Sequence, residues 1–393
     1  MIKKVITYCK KGQLTMELFS LTDLKKKNLS DVFHFIYRNP GCSKQSIATT
    51  LSMSLPTVTQ HLSTLTEKHL VEKCGQISSS VGRKAAAYAV IPTAKIALGV
   101  EILSHKIYIV ALNLYGKKEA KEHLRLGFSQ TEEYFEQVRS FVREFMDRHH
   151  IQDEQLLGIG FAIQGLPSRD GMEISYGKIL NCHDVSIRVF SDGFKSPCRF
   201  FHDAECAAYS ELWENSDVRD AIYISLSYHL GGAIIINGEL QNGLTGKSGT
   251  FEHMTLIPGG LTCYCGQQGC AECYCSAWSL LDGDMELENF FEQKKQGDPV
   301  SLEKWEHYLK YLSMLINNLH LVIESTVILG GHITPYFSDE DMASIRNTLS
   351  GMSTFHDPTD YIVLGRCRSD AVPIGAALHY IREFLDRIAY EGL

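Results

Sequence analysis

His253, Cys263, Cys265 and Cys270 are the residues of this chain whose types and spacing most directly imply chemistry. One histidine followed by CYCGQQGC supplies an imidazole and three thiolates, the donor set that closes a tetrahedral shell around Zn²⁺ in a structural site. Gly266 and Gly269 let so short a loop turn back around one ion. A closed shell predicts structural zinc, with no coordination position left for a substrate. Five of the twelve cysteines fall between residues 263 and 275, a clustering that points to ligands and buried thiols and away from disulfides. Cys273 and Cys275 are read as helix-core packing, with spare ligation as the alternative.

The elements that must hold this loop belong to a chain of 393 residues, long enough for two or three domains with buried cores. Its charge is divided unevenly. Residues 1–95 hold 14 lysines and arginines against 5 acids, and the remainder holds 24 against 41. A basic head on an acidic body predicts that the head meets a polyanion and the body does not. No apolar run reaches the ~18–20 residues that span a bilayer, and the amino terminus lacks an apolar core of signal-peptide length. The expectation is a cytoplasmic protein with no membrane partner.

Within the head, taken as residues 1–92, apolar positions keep helical spacing: Val32, Phe33, Ile36 and Tyr37, then Ile47 and Leu51, then Val58, Leu62 and Leu65. Asn39-Pro40-Gly41 ends the first helix, Ser43 starts the second, and Ser54 caps a third with Pro56 in its first turn. This is the rhythm of a helix-turn-helix. Burying Val58, Leu62 and Leu65 leaves Thr57, Thr59, Gln60 and Ser63 for phosphates or base edges in the major groove. Residues 70–92 read as two strands around a loop, a wing with Arg83 and Lys84 at or near its tip. An arginine there can enter a narrow minor groove. The predicted partner is a double-stranded DNA operator.

Beyond Pro92 the pattern turns to strands, KIALGVEIL, KIYIVALNLYG, LLGIGFAIQG, AIYISLS, GGAIIING and STVILGGHI, with helical stretches between some of them. This is α/β composition. A winged helix followed by such a body, carrying His-x₉-Cys-x-Cys-Gly-x₂-Gly-Cys-x-Glu, resembles the ROK family of sugar kinases and sugar-responsive repressors. GIGFAIQGL (158–166), HDAECAAYSE (202–211), ILGGHI (328–333) and IGAAL (374–378) extend the likeness over nearly the whole chain. The resemblance implies a two-lobed, actin-like (ribonuclease-H-like) body. Residues 93–201 would form the first lobe, with the C-terminal helix 371–393 packed on it, and 202–370 the second lobe with the zinc knuckle.

In the family's kinases an Asn-Asp pair binds sugar, and the Asp deprotonates the attacking hydroxyl. A Glu-x-Gly-His motif and the Glu after the last zinc cysteine complete the cradle. Carried over, the base matches Asp203, and His253 and Glu272 match the later landmarks. His202 replaces the Asn, Thr250 the first Glu, and Glu252 the glycine. Asp203 can also cap the helix it begins, and His202 can be structural. The implied effector set is therefore His202, Asp203, Thr250, His253 and Glu272. The phosphate loops depart further. Glu101-Ile102-Leu103-Ser104 stands where Asp-x-Gly-Gly-Thr belongs, and SYHLGGA (227–233) replaces a glycine-rich loop whose backbone would approach phosphate. The expectation is no catalysis. The chain reads as a sugar-responsive regulator, a repressor of carbohydrate-utilisation genes that binds a sugar or sugar phosphate and acts as a homodimer or dimer of dimers. An ATP-dependent sugar kinase with a DNA-binding head, and an effector-independent regulator, are the alternatives.

Overall fold

Capping residues and apolar spacing set the head's architecture. A computed structural model describes residues 5–10, 13–18, 21–77, 85–215, 217–283, 285–355, 358–367 and 370–391. An antiparallel hairpin of Val5–Lys10 and Gln13–Leu18 precedes three helices, α1 (Leu21–Arg38), α2 (Lys44–Thr50) and α3 (Leu55–Glu67). Ser43 and Ser46 form a reciprocal capping box at the start of α2. The Ser54 hydroxyl accepts from the Thr57 amide at 3.3 Å, with Pro56 in the first turn of α3. Each such cap contributes ~1 kcal/mol. Val58, Leu62 and Leu65 are buried against Val32, Phe33, Ile36 and Ile47. Strands Val71–Ile77 and Ala85–Val90 pair antiparallel, and Cys42–Ser43 adds a third, short strand. The wing tip, with Arg83 and Lys84, lies outside the described residues.

Two sheets follow, each of five strands. In the first, Ile96–Ile102 lies centrally. Lys106–Asn113 and then Lys118–Arg125 run antiparallel on one side, and Leu156–Ile163 and then Cys198–His202 run parallel on the other. In the second, Ala221–Leu226 is central, with Leu230–Ile236 and Glu239–Leu240 antiparallel on one side and Thr326–Gly330 and Ile362–Leu364 parallel on the other. Numbered by chain order, both sheets have the spatial order 3-2-1-4-5. The body is thus one topology used twice, as an actin-like fold requires. No helix among the described residues is long and apolar enough to cross a membrane.

The helix Ala371–Glu391 returns to the first sheet and is fitted into it by glycines. A Cβ on Gly99 would meet the Pro373 carbonyl oxygen at 1.8 Å, and one on Gly375 would meet the Cys206 carbonyl oxygen at 1.8 Å. Only glycine lets the backbones approach so closely. The same helix buries Leu378, Ile381, Phe384 and Ile388 in one core with α1. The Phe33 and Phe384 rings meet edge to face at 6.5 Å. The Tyr37 hydroxyl donates to the Leu114 carbonyl, and its ring stacks on Tyr115 at 4.6 Å. Head and body therefore share a continuous apolar contact.

Candidate functional site

The zinc motif folds as its spacing requires. His253 ends a single 3₁₀ turn, Phe251–His253, and the three cysteines lie in the irregular loop before the helix Glu272–Cys275. One donor atom from each of His253, Cys263, Cys265 and Cys270 lies within 4.8 Å of the others. The Cys265 and Cys270 sulfurs are 3.7 Å apart, and Cys263 Sγ is 3.9 Å from His253 Nδ1. Zinc–sulfur bonds of ~2.3 Å in a tetrahedron give edges of ~3.8 Å, so the donor set fits one zinc ion. Burial lowers the pKa of His253 and favours the neutral ring that ligates. Nδ1 faces the sulfurs while Nε2 lies 3.5 Å from the Tyr264 hydroxyl. Cys275 is fully buried in the second lobe's core, and Cys273 points its sulfur at the Leu261 carbonyl.

His253 and Tyr264 also line a cavity of about 90 Å³ between the lobes, together with Gln164, Lys178, His202, Asp203, Thr250 and Glu252, among others. Ligand sites usually enclose ~300–1,000 Å³, so this one is small. Asp203 opens the helix Asp203–Glu214. Its Oδ1 accepts from the Ala204 amide at 2.8 Å and lies 3.6 Å from His202 Nδ1. The residue in the cap position is His202, and its side chain makes no capping bond. The Thr250 hydroxyl donates to the Lys247 carbonyl within its own turn.

Two residues behave differently from their sequence reading. Glu272 does not line the cavity. His229 Nδ1 lies 2.7 Å from its Oε1, and the Leu230 amide donates to its Oε2 at 2.7 Å. His229 stands on the wall in its place. Glu252, noted in the sequence only as a lost glycine, is buried on that wall, and its Oε2 has no hydrogen-bond partner among the described residues. Burial pushes its carboxyl up to about 7, with His202, Asp203 and Glu272 the titratable groups that face it. The signals for both were local: a bulky residue inside a glycine loop, and an acid at a glycine position.

Glu101 is fully buried, and desolvation, then Asp203 and Asp370, push its carboxyl up to about 8 against the pull of Lys121. Lys118 and Lys121 both pair with Asp370 at the start of the C-terminal helix. On the second lobe Tyr228 packs on Trp278 at 5.6 Å and on His332 at 5.7 Å, and His332 Nδ1 lies 3.1 Å from the Ser227 hydroxyl.

On the head, Thr59, Gln60 and Ser63 are exposed and Thr57 is half-buried. The Thr57 hydroxyl is engaged with Ser54, Thr59 accepts from Lys44 at 3.4 Å, and Ser63 donates to Glu67. No side-chain hydrogen bond holds Gln60 among the described residues, which leaves its amide available to a base edge.

Comparison with known proteins places these features among relatives. A profile described as "ROK family" matches residues 97–380, and one described as "Winged helix-turn-helix DNA-binding" matches residues 31–72. The chain is 27% identical over 269 residues to a xylose repressor of Bacillus spizizenii, covering 68% of this chain and 70% of that one. It is 23% identical over 332 residues to the DNA-binding transcriptional dual regulator NagC of Escherichia coli, covering 79% and 82%. A solved ROK family transcriptional regulator, a homolog of the E. coli MLC protein, superposes with a TM-score of 0.74 at 18% identity over 94% of this chain and 98% of that one. A ROK family glucokinase from Streptomyces griseus in complex with glucose and AMPPNP gives 0.63 at 22% identity, over 72% and 98%. The structural likenesses show a shared fold.

Proposed function

The chain belongs to the ROK family, and from that premise we propose that it is a cytoplasmic, sugar-responsive transcriptional regulator, a repressor of carbohydrate-utilisation genes, without kinase activity. The observation that carries this reading is a winged helix-turn-helix head joined to a ROK body; the burial of Glu101 and the packing of Tyr228 on Trp278 and His332, where the kinase pattern has open glycine loops, support the absence of phosphoryl transfer. The similar xylose repressor and NagC support regulation over catalysis. The head spans residues 1–92, the first lobe 93–201 with the C-terminal helix, and the second lobe 202–370.

Zinc held by His253, Cys263, Cys265 and Cys270 would supply structural rigidity, fixing the turn that carries Glu252. Asp203, His202, Glu252 and His253 Nε2 would receive a sugar once the lobes part, with Glu272 held behind His229. Thr59, Gln60 and Ser63 would face the major groove, with Thr57 near the phosphates and Arg83 and Lys84 on the wing. A homodimer or dimer of dimers would set two heads at the spacing of two operator half-sites. Sugar would change operator affinity because it binds two lobe arrangements unequally.

The test is fluorescence anisotropy of the full-length protein on DNA from its own upstream region, with and without sugars. Sequence-specific binding that a sugar weakens is the expected result. ATP-dependent sugar phosphorylation lost in Asp203→Asn would establish the kinase reading instead.

A further inference from the structure

Several polar groups on the second-lobe wall of the cavity are already engaged. The Thr250 hydroxyl donates to the Lys247 carbonyl, the Ser225 and Ser227 hydroxyls lie 3.3 Å apart, and the Tyr264 hydroxyl lies 3.5 Å from His253 Nε2. Glu272, which the family pattern aims at the sugar, has both carboxylate oxygens occupied. One lies 2.7 Å from His229 Nδ1, and the other accepts from the Leu230 amide at 2.7 Å. His229 is different. It lines the cavity, its side chain keeps 22% of its surface exposed, and its Nε2 has no hydrogen-bond partner among the described residues and is not enclosed.

The ring is held in place before any ligand arrives. His229 sits at the tip of the hairpin formed by Ala221–Leu226 and Leu230–Ile236. Glu272, itself buried, grips that tip twice, through the ring and through the amide of the next residue. Swinging the ring away would leave a buried oxygen without its partner. The Tyr264 ring meets the imidazole edge to face at 5.5 Å, and the Trp278 ring lies at 6.4 Å. A side chain fixed in this way loses little freedom when a ligand binds. The remaining nitrogen suits a hydroxyl, which can both donate and accept and so pairs with Nε2 whether or not that nitrogen carries a hydrogen.

We propose that His229 is a specificity-determining residue of the effector site, hydrogen-bonding a sugar hydroxyl through Nε2, and that Glu272 is its positioning residue, acting on the sugar only through the ring it holds. This rests on the reading of the body as a sugar sensor and deepens it: the contact that the family pattern gives to a carboxylate is made here by an imidazole from a different segment of the chain.

The experiment is calorimetric titration of the full-length, zinc-loaded protein with D-xylose, D-glucose and N-acetyl-D-glucosamine, repeated on His229→Ala, His229→Gln, Glu272→Ala and the double variant carrying both alanines. His229→Ala should weaken the bound sugar about five- to a hundredfold, the range for a hydroxyl that loses its buried partner. His229→Gln, whose amide can both donate and accept, should recover part of that loss. Glu272→Ala should weaken the sugar while His229 is present and add less than about twofold once His229 is gone, a non-additivity that a merely structural role would not produce. Carbethoxylation of the wild-type protein by diethyl pyrocarbonate, mapped by mass spectrometry, needs no variant to fold. Sugar at about ten times its Kd should slow modification of His229 about tenfold. A sugar that binds the wild type but leaves His229 equally reactive, or that binds His229→Ala as tightly, overturns the proposal while leaving the sensor reading intact. Single losses that multiply in the double variant overturn the positioning role of Glu272. Binding of none of the three sugars by the wild type overturns the sensor reading and the proposal together.

Discussion

Replacing Glu101 by glutamine should raise the stability of the protein at pH 8 and flatten its dependence on pH. Glu101 sits on the central strand of the first sheet, fully buried. It is faced by Asp203 from the helix that begins at the cavity, Asp370 from the start of the C-terminal helix, Lys121 from the edge strand, and the buried Cys206 thiol. Desolvation and the two aspartates move its carboxyl from an ordinary 4.5 to about 8. Between those values the folded protein holds a proton that the unfolded chain has released, so stability is full below pH 4.5 and is lost as pH rises toward 8. At ~1.4 kcal/mol per pH unit, the loss between pH 5 and pH 8 reaches ~4 kcal/mol. Glutamine keeps the shape and carries no charge to desolvate. Thermal melts at pH 5, 6, 7 and 8 should show the wild-type Tm falling with pH and the variant's falling less, with the variant more stable at pH 8. Parallel curves would refute the assignment of this proton to Glu101.

Three further outcomes follow from the same geometry. Removing zinc with a chelator should release one ion per chain and lower the Tm, and Cys265→Ser should lose bound zinc on elemental analysis; a full zinc complement in that variant would exclude Cys265 from the shell. Gly375→Ala should destabilise the protein by ~1–3 kcal/mol or more, since its Cβ would meet the Cys206 carbonyl oxygen at 1.8 Å, whereas Gly351→Ala, in a helix with nothing within 4 Å, should gain up to ~1 kcal/mol. Gln60→Ala should cost ~1–3 kcal/mol on the specific operator and little on unrelated DNA, measured by competition anisotropy at fixed salt.

The head and the metal cluster were legible because each obeys a local rule. Helical spacing marks Val58, Leu62 and Leu65 as core, and ligand spacing marks the knuckle, without reference to distant chain. Strand Lys118–Arg125 was missed because it lies at a sheet edge, where alternating lysine and glutamate guard against further pairing and hide the strand signal. Cys198–His202 is short, and its parallel pairing to Leu156–Ile163 is set by tertiary contact alone. Glu272 was placed in the pocket because its position in the chain is right. Its orientation depends on His229, forty-three residues away, which the sequence could mark only as a departure from glycine. Glu252 was visible as a substitution, but its role depends on which neighbouring oxygens are already satisfied.

Control of DNA by a sugar requires that movement at the pocket alter the heads, and the packing restricts how this can occur. The helix that begins with Asp203 passes Cys206, whose carbonyl is in backbone contact with the C-terminal helix at Gly375. Further along, the His379 ring of that helix is sandwiched between Phe201 and Tyr209 at 4.4 and 4.3 Å. Neither contact has room to slip, because close-packed backbones and stacked rings have discrete arrangements and do not deform continuously. The C-terminal helix in turn shares its core with α1 through Phe384 and Ile388. A sugar that displaced Asp203 and its helix would therefore carry the C-terminal helix and the base of the head as one unit. On this packing the helix Asp203–Glu214 would move with the C-terminal helix, and an effector would act by changing how that unit sits on the second sheet, with no change required in the head's own capping and core.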